Sequence, residues 1–161
     1  MPNAPTAEFV AATLPGHWRL GATSLPEWLD GERQSVVFDF QVESEDPLVI
    51  LELQNFTTPE GKDRQITRVS QWQRGEFQSR GKGIRKALHG RWNVIGFSDD
   101  NSVAVLRVER SRGFQEGILV LVRVGVDASE LRSLVAASSD DLGLSPEEFG
   151  SLWWFDVPTQ R

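Results

Sequence analysis

Two stretches, Gly16-His17-Trp18 and Gly117-Ile118-Leu119-Val120-Leu121-Val122-Arg123, decide how this chain is expected to fold. The first opens a strand-like segment, and the second is the most apolar run of the sequence and ends in an arginine. A tryptophan can fill the closed end of a small β-barrel, and an arginine can stack its planar guanidinium on the indole while it donates to nearby carbonyls. On these residues alone, a core tryptophan and an ordinary surface arginine are the simpler interpretation, and closure of one barrel end by Gly16, Trp18 and Arg123 is the alternative.

The chain between these two stretches is predicted to form strands joined by short turns, with no long helix. Residues 35–43 alternate cleanly, with Phe38 and Phe40 on one face and Asp39 and Gln41 on the other. Polar residues in the strand at 65–73 occupy positions that would face inward, which favours a cavity holding water or a polar group. The strand-like runs are 14–24, 35–43, 48–56, 65–73, 91–97, 102–109 and 117–124. Such a meander predicts a closed antiparallel up-and-down β-barrel of eight or nine strands, because closure removes exposed sheet edges.

The ends of the chain complete this mainly β prediction. Residues 1–13 are expected to form an N-terminal arm, and residues 14–161 a single barrel domain, since 161 residues normally make one domain. Asp127 and Glu130 have capping-box spacing, which predicts one C-terminal helix at about 128–142, packed on the outer barrel wall. A last strand around Trp153 is expected to pair beside the first.

The order of these features resembles the lipocalins, also called calycins, and is closest in layout to the bacterial lipocalin and apolipoprotein D branch. Gly-x-Trp before the first strand, an arginine at the end of the last long strand, one helix and a terminal Trp-bearing segment carry the resemblance over residues 14–157. The family's Thr-Asp-Tyr type segment is missing, because residues 110–114 read Arg-Ser-Arg-Gly-Phe and the chain has no Tyr. The resemblance implies a lipocalin-like barrel that is closed at one end by Gly16, Trp18 and Arg123 and that carries or senses a small molecule.

Composition limits the function classes. With no cysteine, disulfides, thiolate metal sites and thiol nucleophiles are excluded. The net charge of −6 argues against general nucleic-acid binding. No apolar run is long enough to span a bilayer, and the first residues lack the regions of a signal peptide, so we expect a cytoplasmic protein. Neither cofactor nor metal is expected, and the sequence leaves monomer and homodimer equally open.

The strand alternation and the abundance of tryptophan suggest where a ligand would bind. A barrel of this size holds one small ligand, with specificity set by a few polar groups in an apolar cup. Trp28 lies in a loop placed where it could fold over the barrel mouth, together with Leu29. The predicted ligand-binding residues are Trp28, Phe38, Phe40, Ile50, Trp72, Trp92 and Arg107. Equally, these aromatic residues could simply fill the barrel.

No catalytic constellation is evident in the sequence, because His17 and His89 are the only histidines and neither has a nucleophile or metal-binding pattern around it. Non-catalytic binding of a small hydrophobic or amphipathic molecule is therefore the predicted function. One alternative is a lipocalin-like isomerase or cyclase acting on an apolar substrate, which Arg107 or Glu109 inside the barrel would favour. Another is a filled barrel whose basic turn at 80–91 binds an acidic protein partner.

Overall fold

A computed structural model describes residues 4–81, 89–111 and 115–155. Within these residues, nine antiparallel strands form a sheet that closes on itself, because β1 pairs with β8 along one edge and with β2 along the other. The strands are β1 (Gly16–Thr23), β2 (Gln34–Glu45), β3 (Leu48–Thr57), β4 (Asp63–Gln73), β5 (Glu76–Gly81), β6 (His89–Phe97), β7 (Val103–Glu109), β8 (Gly117–Arg123) and β9 (Trp153–Trp154). The predicted up-and-down barrel is confirmed, and the last strand does pair with the first.

The described residues also form four short helices. They are α1 (Ala7–Thr13), a 3₁₀ helix (Pro26–Trp28), α2 (Leu131–Ala137) and α3 (Pro146–Gly150). The single helix expected at about 128–142 is therefore wrong in its length, because α2 starts at Leu131 and a separate short helix follows. The predicted capping box is wrong too: the side chain of Glu130 makes no cap, and Asp127 instead accepts a hydrogen bond from the Ser129 N–H. Ser145 and Glu148 form the real capping box, at α3.

The side chains pack into two apolar layers, one on each face of the barrel wall. The inner layer fills the barrel and includes Trp18, Phe38, Phe40 and Trp92. The outer layer lies between α2 and the outward faces of β1, β7 and β8, where Leu131 of α2 belongs to one cluster with Ala22 of β1 and the valines of β7 and β8. The covering helix therefore lies over β1, β7 and β8, whereas the outward residues of β3 are half-exposed.

The end of the barrel near the start of β1 is closed by Trp18, Arg123 and α1. The Arg123 guanidinium lies 4.0 Å from the centre of the Trp18 ring, and its nitrogens donate to the carbonyls of Thr13 and Pro15. The indole N–H of Trp18 donates to the Leu14 carbonyl at 2.8 Å. Arg123 therefore ties the end of α1 to the closing tryptophan, the arrangement that the two opening stretches of sequence had suggested.

Gly16 permits this close approach. Its φ is +125°, a conformation that residues with a side chain rarely adopt, and a Cβ atom there would lie 2.7 Å from a nitrogen of Arg123. The Gly-x-Trp pattern thus has a physical basis in this chain, since the glycine leaves room for the guanidinium that covers the tryptophan.

Candidate functional site

A cavity of about 240 Å³ lies inside the barrel. Trp28, Phe38, Phe40 and Trp92 form its aromatic wall, and Leu106, Val108 and Leu119 add aliphatic surface from β7 and β8. The barrel interior is therefore not entirely filled by its aromatic side chains.

The aromatic residues form a connected series across the barrel. The ring of Trp28 lies 5.4 Å from that of Phe38, which stacks on Phe40 at 6.1 Å. Phe40 in turn lies 6.0 Å from Trp92, and Trp92 stacks on Phe77 at 4.4 Å. Because each ring is held by its neighbours, the cavity wall is a rigid surface suited to a flat apolar molecule.

Only four of the seven predicted ligand-binding residues line the cavity in the structure. Trp28, Phe38, Phe40 and Trp92 line the cavity. Ile50 is buried in the inner layer but lies outside the cavity lining, opposite Val42 of β2. Trp72 is half-buried and packs edge-on against Phe77 at 5.0 Å, also away from the cavity. Whether the four lining aromatics bind a ligand stays a prediction.

The prediction that Arg107 lines the cavity needs correction. Its guanidinium points outward and makes two hydrogen bonds to the Glu148 carboxylate of α3, at 2.9 and 2.8 Å. Leu106 and Val108, its neighbours in β7, are the residues that face inward. Burial alone would raise the pKa of Glu148, but the hydrogen bonds from Arg107 and Ser145 outweigh it and hold that pKa below its ordinary value. Arg107 therefore fastens α3 to the barrel.

The loop before β2 folds over the cavity in part as expected. Trp28 is buried and contacts Phe38, whereas Leu29 remains exposed and does not turn inward. Arg33 lies between the loop and the barrel, with its guanidinium 4.6 Å from the Trp28 ring centre and 5.5 Å from that of Phe56. These cation–π contacts hold the 3₁₀ helix against the barrel mouth.

A polar cluster on β3 and β4 forms one side of the cavity, and the sequence analysis missed its β3 members. Glu52 and Gln54 face inward from β3, and the Gln54 amide donates to the Glu52 carboxylate. Arg68 lies directly opposite Glu52 in the β3–β4 pairing and lines the same cavity, as does Ser79 of β5. In the structure every second residue of β3 from Leu48 faces inward, which includes Glu52, but the sequence does not show this because the other face is equally apolar.

Two further polar groups of the inner wall, the Ser70 hydroxyl and the Trp92 indole N–H, are hydrogen-bonded to each other. Ser70 of β4 is fully buried and accepts a hydrogen bond from the indole N–H of Trp92 at 2.9 Å. The expected polar inner wall of β4 is therefore present at Arg68 and Ser70, and it orients the Trp92 ring that forms part of the cavity.

The Glu52 carboxyl is the titratable group with the most unusual surroundings in this cavity. Burial raises its pKa above the ordinary value of 4.5, and both the charge of Arg68 and the hydrogen bond from Gln54 offset part of that rise. Burial dominates because an ionised carboxylate loses its water shell in an apolar cavity. The folded protein therefore holds the Glu52 proton more tightly than an exposed glutamate would.

We expect Glu52→Gln to gain stability relative to the natural protein as the pH rises above the ordinary carboxyl range. The folded state binds the Glu52 proton more tightly than the unfolded state, so the carboxyl's contribution to stability falls as the pH rises through the folded pKa. Gln54 and Arg68 remain as partners for the amide. Urea denaturation of both proteins across this pH range measures the difference.

The control for that comparison is Glu43→Gln, which removes one negative charge from an exposed position on β2. A stability difference between Glu52→Gln and the natural protein that does not change with pH would contradict the expectation.

The basic stretch between residues 62 and 91 is only partly described. Arg68 faces the cavity, and the Arg91 side chain is half-exposed with a nitrogen 3.6 Å from the Glu76 carboxylate. Residues 82–88, the centre of the predicted interaction turn at 80–91, lie outside the described residues. Among the described residues, no helix is long and apolar enough to cross a membrane, and no group of three His, Cys, Asp or Glu side chains could hold a metal.

Solved structures with the same architecture define the class of fold. Lobster apocrustacyanin A1 superimposes with a TM-score of 0.60 at 9% identity, over 89% of this chain and 77% of that one. The tryptamine complex of the amine-binding protein of Rhodnius prolixus gives 0.62 at 17% identity, over 96% and 84%. A deswapped triple mutant of bovine odorant-binding protein gives 0.51 at 16% identity, over 89% and 93%.

No protein-family model matches the chain, and no curated protein matches its sequence. At such low identities the solved structures establish the architecture, and they establish it consistently over almost the whole chain. The protein therefore has a lipocalin-like, or calycin, fold, as its sequence resemblance predicted.

Proposed function

We propose that this protein binds one small hydrophobic or amphipathic molecule inside the barrel, as a carrier or sensor. The observation that carries the proposal is the cavity of about 240 Å³, with an aromatic wall and a polar cluster on one side. Ligand sites in proteins combine these two features, since apolar surface supplies affinity and a few polar groups supply orientation. The similar structures of an odorant-binding protein and an amine-binding protein support the proposal.

The size of the cavity limits the ligand. An engineered protein cavity of about 150 Å³ holds benzene, so a cavity of 240 Å³ is suited to a molecule of one or two rings. A long lipid chain would need a larger space or a part of the molecule outside the barrel.

The proposal is tested by titrating the protein with 2-naphthylmethanol, a neutral two-ring probe, and following tryptophan fluorescence and calorimetric heat. Leu106→Phe adds volume to a side chain that lines the cavity, so we expect affinity to fall at least about tenfold with little change in the denaturation midpoint. Leu121→Phe, in the inner layer but outside the cavity lining, is the matched control, and we expect it to cost about 1–3 kcal/mol through overpacking.

A packed barrel without a binding function would give the opposite pattern. The natural protein would not bind the probe, and Leu106→Phe would destabilise as much as Leu121→Phe. Native mass spectrometry of the protein purified from its own host adds an independent measure, because a reproducible extra mass that is lost on denaturation identifies a retained molecule.

A second candidate function is a lipocalin-like isomerase or cyclase, and Glu52 is the observation that favours it. A buried carboxyl with a raised pKa, beside an arginine in a cavity, is the kind of group that transfers protons in catalysis. If the protein turns over a ligand that it retains, Glu52→Gln should abolish turnover while binding persists. Binding without turnover would leave the carrier function alone.

A further inference from the structure

We propose that the cavity binds the carboxylate of an aromatic acid of one or two rings beside Arg68, and that Glu52 takes up a proton when this anion binds. This inference rests on the proposed function and names the class of ligand. It is carried by the placement of an acidic and a basic side chain directly opposite each other in the β3–β4 pairing, both lining one small cavity.

The cavity separates an apolar end from a charged one. Glu52 also lies opposite Phe40 in the β2–β3 pairing, and Gln54 lies opposite Phe38. The polar cluster of β3 and β4 therefore adjoins the aromatic wall. A flat ring packed on that wall would direct a short substituent at Glu52 and Arg68, which suits an aromatic molecule with one polar head group.

The charges of this end favour an anion over a cation. Arg68 supplies a planar guanidinium that recognises carboxylates through two parallel hydrogen bonds. An ammonium group would meet the repulsion of Arg68, and the face of Trp28 at the cavity mouth is already covered by Arg33. The charged residues that line the cavity are Glu27, Arg33, Glu52, Arg68 and Arg91. Arg91 is paired with Glu76, so the remaining charges balance when both lining acids are ionised, and the cavity is positive once Glu52 holds a proton.

Proton uptake follows from the crowding of two acids beside one arginine. Two carboxylates sharing one buried site cannot both remain ionised at low cost, and one of them then holds a proton. Glu52 is the group to accept it, because its burial already favours the neutral form. The proton comes from solvent and bonds to a carboxylate oxygen of Glu52, which can then donate a hydrogen bond to the bound anion. No bond of the ligand is made or broken.

The test compares three probes that share one ring system: 2-naphthoate, 2-naphthylmethylammonium and 2-naphthylmethanol. Affinities are measured by calorimetry from roughly pH 6 to pH 9, where an exposed carboxylic acid is already ionised. Two buffers with different ionisation heats give the number of protons taken up. We expect 2-naphthoate to bind with a proton uptake that approaches one as the pH rises above the Glu52 pKa of the free protein, and its affinity to fall by up to about tenfold per pH unit in that range.

Two variants assign this behaviour to residues. Glu52→Gln should keep 2-naphthoate binding but lose both the proton uptake and the pH dependence that comes from it. Arg68→Gln should weaken 2-naphthoate binding at least about tenfold more than it weakens 2-naphthylmethanol binding, and a urea transition as steep as that of the natural protein shows that the variant is folded.

The contrary outcomes separate a failure of this inference from a failure of the proposed function. If 2-naphthylmethanol binds but 2-naphthoate binds without proton uptake, or if the ammonium probe binds more tightly than the acid, the inference is wrong while the proposed binding function stands. If none of the three probes binds to the natural protein, the binding of one- and two-ring molecules is itself wrong, and the inference is lost with it.

Discussion

Trp18→Ala is expected to lower the free energy of unfolding by about 3–5 kcal/mol, because it removes the largest fully buried side chain of the inner layer. The loss has three physical parts. Apolar contacts disappear, the Leu14 carbonyl loses the indole donor at 2.8 Å, and the Arg123 guanidinium loses the ring on which it stacks. Alanine cannot refill the closed end, so a cavity remains.

Trp153→Ala is the matched control, since it makes the same change of side chain at a position that is 68% exposed. We expect its effect to stay within about 0.5 kcal/mol. Urea denaturation followed by circular dichroism measures both variants without relying on tryptophan fluorescence. Similar effects for the two variants would mean that Trp18 does not close the barrel.

Trp18→Phe separates packing from hydrogen bonding. The phenyl ring still fills much of the space and still offers a face to Arg123, but it has no N–H for the Leu14 carbonyl. We expect an intermediate loss, of which the missing hydrogen bond accounts for about 1 kcal/mol.

The barrel could be predicted because its signals are local and repeated. Alternation in β2 is clean, with Phe38 and Phe40 on the inner face, and turn-forming residues such as Asp99 and Asp100 separate the strands. The closing residues Trp18 and Arg123 stand at the two ends of the run of strands. Their order along the chain, together with the resemblance to lipocalins, suggested the contact that the structure shows.

The polar side of the cavity was hidden by the sequence of β3. Leu51 and Leu53 make its outward face as apolar as its inward face, so the pattern does not show which residues face the interior. The direction becomes clear only from pairing, where Glu52 stands opposite Phe40 on one side and Arg68 on the other. A one-residue shift in register would have placed this acid in solvent.

Arg107 was misplaced for a related reason. An arginine within an apolar strand suggests a buried charge, but its partner Glu148 lies 41 residues later in the chain. Only the docking of α3 on the outer wall brings them together. Helix ends near this region were equally hard to predict, because Asp127 forms a local turn with Ser129 instead of capping α2.

Gly96→Ala is expected to lower the free energy of unfolding by about 3 kcal/mol, at the upper end of the usual cost of overpacking. The added Cβ would lie 2.7 Å from the backbone oxygen and Cα atom of Leu142, a distance at which one of the two backbone segments must move. Backbone atoms can shift less than the ends of flexible side chains can. The Leu142 side chain is also fully buried in the outer layer, which anchors the connection between α2 and α3.

The connection between α2 and α3 is also closely packed against β6 at Gly143, and we expect a large effect for this reason. Gly143 has a φ of +77°, and a Cβ there would lie 3.0 Å from the Ile95 carbonyl oxygen, so the connection cannot simply rotate away. Gly150→Ala in α3 is the control, because no atom lies within 4 Å of its added methyl group, and it should be neutral or slightly stabilising. If Gly96→Ala unfolds at the same urea concentration as Gly150→Ala, then the connection between α2 and α3 is not packed against β6. If its midpoint falls while the slope of the transition stays constant, the close packing of this connection on the outer wall contributes directly to the stability of the barrel.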